Sequence, residues 1–286
     1  VLWTEGVVIM AFQARRLAGY VLGFVLFYAP FALFQKVIFY LFSGKWVDLT
    51  VHSLCFRIQM EHIFDGKVFF MHGYFLACFL LLLAAAFFFG PLFCGRLCPA
   101  GAFMEYLSKI VPGRFQIVWS RYADITPIRY GMMVGYMVMP FIGATLSCGY
   151  CNFFVFDLFV NYYLFGYVIS LTSSLILTLF LWAVLFGLFT RGGRGYCNFF
   201  CPVGAIQSLT HWIGRRFPFT YRLTVDRKKC IGCGICVRNC PMDSIHLDGE
   251  KKACQNVHNC ILCGVCQEKC PVKAIHYGRG KKDDQK

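Results

Sequence analysis

Eight cysteines near the C-terminus constrain this chain more than any other feature, because they fall into two runs of one spacing. Cys230, Cys233, Cys236 and Cys240, followed by Pro241, form C-x2-C-x2-C-x3-C-P, and Cys260, Cys263, Cys266 and Cys270, followed by Pro271, repeat it. In this spacing three thiolates of one run converge on a cubane, while the fourth reaches the cubane of the other run. The expected ligand sets are therefore Cys230, Cys233, Cys236 and Cys270 for cluster one, and Cys260, Cys263, Cys266 and Cys240 for cluster two, both [4Fe-4S]. The intervening loops are built from Gly and small aliphatic residues (Ile231-Gly232, Gly234-Ile235, Gly264-Val265). Such loops let the thiolates converge and let backbone N–H groups face the sulfurs. Zinc knuckles share the C-x2-C pair, but two four-cysteine copies each ending in Cys-Pro do not fit them. The expectation for residues 221–286 is a bacterial-type two-cluster ferredoxin domain, α+β in class, with a basic tail. Cys254 lies outside both sets and reads as a spare buried thiol.

The preceding 220 residues have a different character. Of the 286 residues 58% are hydrophobic and only 15% charged, against about 25% charged in ordinary soluble domains. Four stretches, 17–42, 68–93, 128–147 and 167–189, are apolar over about 20 residues, the length that spans a ~30 Å hydrocarbon layer. The first carries Pro30, Gln35 and Lys36, which predict a kink. The segment 153–165 is apolar too but holds Asp157 and Asn161, so it reads as interfacial or re-entrant. The expected fold class is thus an α-helical membrane protein with four transmembrane helices in two pseudo-repeated pairs, followed by the ferredoxin domain.

Lys and Arg cluster before the first stretch, after the second and after the fourth, which by the positive-inside rule puts both termini and the ferredoxin domain in the cytoplasm. The expected location is the inner membrane of a bacterium or archaeon, crossed several times. The net charge of +14 is read as attraction to an anionic membrane face rather than to nucleic acid. No secretory signal with a small-residue cleavage site is evident, and the first apolar stretch is long enough to remain as a span.

Inside this region Cys94-Gly-Arg-Leu-Cys98-Pro99-Ala-Gly101-Ala102 is echoed by Cys197-Asn-Phe-Phe-Cys201-Pro202-Val-Gly204-Ala205. Each copy follows an even-numbered apolar stretch and leads into an amphipathic one, the mark of an internal duplication. Proline after cysteine suits the first position of a helix, and a helix N-terminus is expected to lower the thiol pKa. Four such thiolates, Cys94, Cys98, Cys197 and Cys201, could hold one metal or Fe-S centre. Packing of cysteine as a small apolar residue and a disulfide within each pair remain as alternatives. A third pair is Cys148 and Cys151, the latter inside Gly149–Phe154, a hexapeptide identical to Gly195–Phe200. It is expected at the outer end of the third stretch, with Cys55 facing the same way, as a further cofactor site, a disulfide or packing. His52, His62 and His72 read as interfacial rather than as haem ligands, and Met132, Met133, Met137 and Met139 as packing.

Four apolar stretches, two Cys-x3-Cys-Pro motifs each after an even stretch, and a two-cluster ferredoxin domain resemble the NapH-type quinol dehydrogenase membrane subunits and the MauN proteins. The resemblance covers nearly the whole chain. It implies electron transfer between membrane quinol and a partner redox subunit (an Fe-S, flavin or haem protein), with quinone or quinol as substrate and lipid as surroundings. Cys148 and Cys151 depart from the NapH pattern, which puts a nitrate-reductase partner in doubt. The other expectations are a copper-maturation reductase resembling the CcoG type, whose large extra C-terminal domain is missing here, and a redox sensor without net turnover.

Overall fold

The computed structural model describes residues 2–28, 31–46, 73–142, 150–165 and 173–280, and in it the apolar stretches become shorter elements that end early. Helix α1 (Leu2–Phe27) carries Gln13, Arg15 and Arg16 near its middle, and the chain breaks before α2 (Leu33–Ser43), which starts after Ala32 in a left-handed conformation (φ 43°). Helix α3 (Gly73–Phe89) has 17 residues, about 26 Å at 1.5 Å per residue. It stops at Gly90, whose φ of 76° no helix can continue. A π-helix (Phe93–Leu97) and α4 (Pro99–Leu107) follow. Helix α5 (Ile125–Ile142) includes Arg129 in its second turn, and α6 (Asn152–Phe165) is a regular helix. The fourth stretch is divided between α7 (Ser173–Leu179) and a π-helix (Phe180–Leu188).

Among the described residues no helix is long and apolar enough to cross a membrane. The four-span fold and the multi-pass placement with both termini inside, expected from hydropathy, are corrected accordingly. Residues 29–30 (with Pro30, where the kink is expected), 68–72, 143–147 and 167–172 of the expected spans lie outside the described residues. The reason for the difference is physical. A run of apolar residues shorter than a full span reads the same whether it meets lipid or another helix. Here much of that apolar surface is turned inward: Phe27, Tyr28, Leu82, Phe93, Phe153, Phe156 and Trp182 form one buried core with Cys98 and Cys201. Tyr28 stacks on Phe153 with ring centroids 5.7 Å apart, and Phe27 meets Phe93 edge-on at 4.9 Å.

Two short helices, α8 (Gly195–Phe199) and α9 (Pro202–Gly214), lead into the C-terminal module. There β1 (Tyr221–Val225) pairs antiparallel with β4 (Ile275–Arg279), Tyr221 opposite Arg279 and Val225 opposite Ile275. The inner hairpin pairs β2 (Ile245–Leu247) with β3 (Ala253–Gln255). Each cysteine run closes with one helical turn, α10 (Ile235–Arg238) and α11 (Val265–Glu268), entered through Gly234 and Gly264 at φ 70° and 80°. The module is docked on the end of α3 by aromatic contacts of Phe87 with Phe217 and of Phe89 with Tyr221. The Tyr277 hydroxyl also donates to the Phe89 carbonyl at 2.8 Å.

Candidate metal centres

The pairing of β1 with β4 places the start of one cysteine run beside the end of the other. As a result Cys230, Cys233, Cys236 and Cys270 line one pocket, partly open to solvent, with about 340 Å³ of space not filled by atoms. Cys240, Cys260, Cys263 and Cys266 line a second of about 320 Å³. The crossed sets arise because the Cys-Pro end of each run folds back under the other run's loop.

Backbone N–H groups already point at the sulfurs. Ala253 and Ala274 donate to Cys230 and Cys270 at 3.5 and 3.2 Å, and Ser244 and Leu262 donate to Cys240 and Cys260 at 3.3 and 3.4 Å. Such bonds stabilise thiolate and tune a cluster's potential. Among the described residues no three cysteine, histidine or carboxylate groups converge closely enough to hold a single metal ion. Four thiols set around one pocket, with backbone N–H groups at the sulfurs, fit a multi-iron group instead.

The two Cys-x3-Cys-Pro motifs are also brought together. Cys98 and Cys201 each occupy the position before a helix that starts with proline, in nearly the same backbone conformation (φ −76°, ψ 106° and φ −71°, ψ 110°), and the Cys98 sulfur accepts from the Gly101 N–H. All four thiols lie within electrostatic reach of one another. Burial pushes Cys98 up to about 12 and Cys201 up to about 11, and raises Cys94 and Cys197 as well. The lowered thiol pKa expected from a helix N-terminus is therefore outweighed by desolvation. Without a bound cation these thiols keep their protons.

These motifs sit against the second cavity. A Cβ on Gly95 would run into the Ile261 carbonyl oxygen and lie 3.0 Å from the Cys263 Cα, so only glycine allows this approach. Gly192 is pressed on Pro241 in the same way. Asn198, between Cys197 and Cys201, donates from Nδ2 to the Met242 carbonyl at 3.0 Å. The first cavity faces outward instead: Cys233 and Ile231 on its wall are exposed.

A buried charge network joins the two regions. Glu105, on α4, accepts from Arg16 Nη2 at 2.8 and 3.0 Å and from Arg194 Nε at 2.7 Å. Arg194 Nη1 also donates to the Cys94 carbonyl, and Arg16 lies close enough to Cys263 to act on its charge. Burial alone would raise the Glu105 carboxyl, but Arg194 and Arg16 hold it below the ordinary value. Sequence reasoning gave these residues no role in the site. The available signal was ionisable residues inside otherwise apolar segments, which are retained only when paired.

Cys151 immediately precedes α6 and packs in the core that holds Cys98 and Cys201, close enough to affect Tyr28 and Tyr196. It is on the same side as the four thiols, not at an opposite outer end. Cys148, Cys55, His52, His62 and His72 lie outside the described residues. Cys254 sits on β3 opposite His246 and lines neither cysteine cavity.

Comparison with known proteins agrees with this division. A 4Fe-4S binding domain model matches residues 71–117 and again 174–220, and a 4Fe-4S dicluster domain model matches 229–274. The methylamine-utilisation ferredoxin-type protein MauN of Methylobacillus flagellatus is 28% identical over 167 residues, covering 56% of this chain and 52% of MauN. This chain has the domain pattern of a NapH/MauN-type polyferredoxin. The regulatory protein NosR of Pseudomonas aeruginosa is 26% identical over 218 residues, 71% of this chain but 27% of NosR. An uncharacterised protein of Methanocaldococcus jannaschii, MJ0749, is 27% identical over 163 residues, 57% of this chain and 56% of its own. The chain thus spans about half, or less, of these relatives. No solved structure matches it. The matched domain models are both of the 4Fe-4S ferredoxin type.

Proposed function

We propose that the chain relays electrons between a quinol and a partner oxidoreductase, and that its cysteines hold three clusters in a row. Cys230, Cys233, Cys236 and Cys270 would hold the outermost, Cys260, Cys263, Cys266 and Cys240 the middle one, and Cys94, Cys98, Cys197 and Cys201 the innermost. Such clusters supply one-electron transfer when bound, so several suit the delivery of a two-electron donor. The observation that carries the reading is the packing of Gly95 and Gly192 directly on the loops of Cys263 and Cys240. The chain's own residues supply cysteine thiols, N–H donors and close packing between the two regions.

The quinol end is supported by an apolar groove of about 1040 Å³, partly open to solvent, between α1 and α4. Pro99, next to Cys98, forms part of its wall with Phe24, Ala102 and Phe103, and the rings of Tyr20 and Tyr106 complete it. The exposed wall around Cys233 suits the partner end.

The test is reduction of the purified protein by a quinol analogue, followed by absorbance, with iron counted in parallel. The parent is expected to hold about twelve iron atoms, four per cluster, and to bleach with the analogue. A Cys98→Ser, Cys201→Ser chain should keep about eight and bleach only with dithionite. Analogue reduction of that variant at the parent rate would sink the relay.

A further inference from the structure

Two arginines flank the four thiols of Cys94, Cys98, Cys197 and Cys201, and both are 1% exposed. Arg194 is ion-paired to Glu105. Arg129 is not: among the described residues its partners are the Asn198 Oδ1 at 3.3 Å and the Ser208 Oγ at 3.2 Å, and its Nε has none. A buried guanidinium held only by neutral groups is strongly disfavoured unless an anion stands nearby. The groups able to provide one, on losing their protons to a bound centre, are the thiols of Cys94, Cys197 and Cys201, which lie within electrostatic reach of Arg129.

The seating of the two arginines repeats with the motif. A Cβ on Gly101, two residues after Cys98-Pro99, would come 2.5 Å from Arg194 Nη1 and 3.5 Å from Cys197 Sγ. A Cβ on Gly204, two residues after Cys201-Pro202, would come 3.0 Å from Arg129 Nη2. Each motif's glycine thus makes room for one guanidinium.

We propose that Arg129 and Arg194 are the counter-cations of an anionic four-thiolate centre at Cys94, Cys98, Cys197 and Cys201, and that they raise its reduction potential. This rests on the reading that those four cysteines hold a cluster. An added electron makes such a centre more negative, so a fixed cation beside it stabilises the reduced form. Arg129, having no carboxylate partner, acts with its whole charge, whereas the effect of Arg194 is partly offset by Glu105. The consequence is a gradient: the innermost centre accepts electrons more readily than it would without these cations, and Arg129 is the stronger of the two.

The experiment is an EPR-monitored redox titration with iron analysis of the full chain, comparing parent, Arg129→Gln and Arg129→Lys, with Cys98→Ser, Cys201→Ser to assign the signal. The signal lost in the cysteine variant should move to lower potential in Arg129→Gln and stay at the parent value in Arg129→Lys, with the ferredoxin signals unmoved. A signal at the parent potential in Arg129→Gln, or one shifted equally in Arg129→Lys, overturns the arginine assignment while leaving the cluster in place. Iron equal in the parent and the cysteine variant removes the cluster reading itself, and the arginine role with it. Should Arg129→Gln fail to assemble, assembly retained with Lys supports the charge requirement and loss with both overturns it.

Discussion

Replacing Glu105 by Gln isolates the buried charge network with almost no change of shape. The carboxylate is 6% exposed, and its two guanidinium partners are 4% and 1% exposed at the side chain. Glutamine keeps one acceptor oxygen, loses the charge, and turns an NH2 donor toward a guanidinium that can only donate. Arg16 and Arg194 are then buried cations without a counterion. Breaking a buried pair by removing one partner costs roughly 3–5 kcal/mol, and here one carboxylate serves two cations. At about 2–4 °C per kcal/mol for a chain of this size class, the melting temperature should fall by roughly 6–20 °C. The two arginines hold the folded-state pKa of Glu105 below the ordinary 4.5. Its contribution is therefore fully present above that value and lost as pH falls through the folded one. Thermal unfolding of parent and variant at pH 7 and pH 4 measures both effects. A variant within ~1 kcal/mol of the parent at pH 7 would refute the argument, since that is the scale of an exposed ion pair.

Other perturbations have equally definite outcomes. Gly95→Ala places a methyl against the Ile261 carbonyl and 2.9 Å from the Cys263 nitrogen; these backbone atoms cannot rotate away. It should cost about 1–3 kcal/mol by overpacking and slow reduction by the quinol analogue while dithionite still reduces the protein; parent-like rate and stability would contradict this. His211 is buried with no partner at either ring nitrogen among the described residues, and burial lowers it to about 4 from 6.5. The unfolded chain takes up a proton first as pH falls from 6.5 to 4, so stability drops over that window. His211→Leu should reduce the pH 7 to pH 4.5 loss of unfolding free energy by roughly 2–3 kcal/mol, and an unchanged loss would count against it. Arg227 forms exposed pairs with Asp248 and Glu250, so Arg227→Gln should leave the unfolding midpoint where it is.

The cysteine spacing alone determined the crossed sets expected of the ferredoxin module, because a short loop between thiols leaves few ways to surround one cavity. The repeat of Cys-x3-Cys-Pro was equally legible, since Pro99 and Pro202 announce helix starts and Gly101 and Gly204 announce close approach. What local pattern could not decide was where the apolar segments go. Phe93, Phe153 and Trp182 satisfy a hydropathy window whether they meet lipid or one another, and the break at Ala32 and the stop at Gly90 are set by backbone conformation. Tertiary structure also decided the electrostatics. Arg16, Glu105, Arg129 and Arg194 are scattered through nearly 180 positions of the chain, and only folding brings their charges beside the thiols, where a low-dielectric interior makes each of them count.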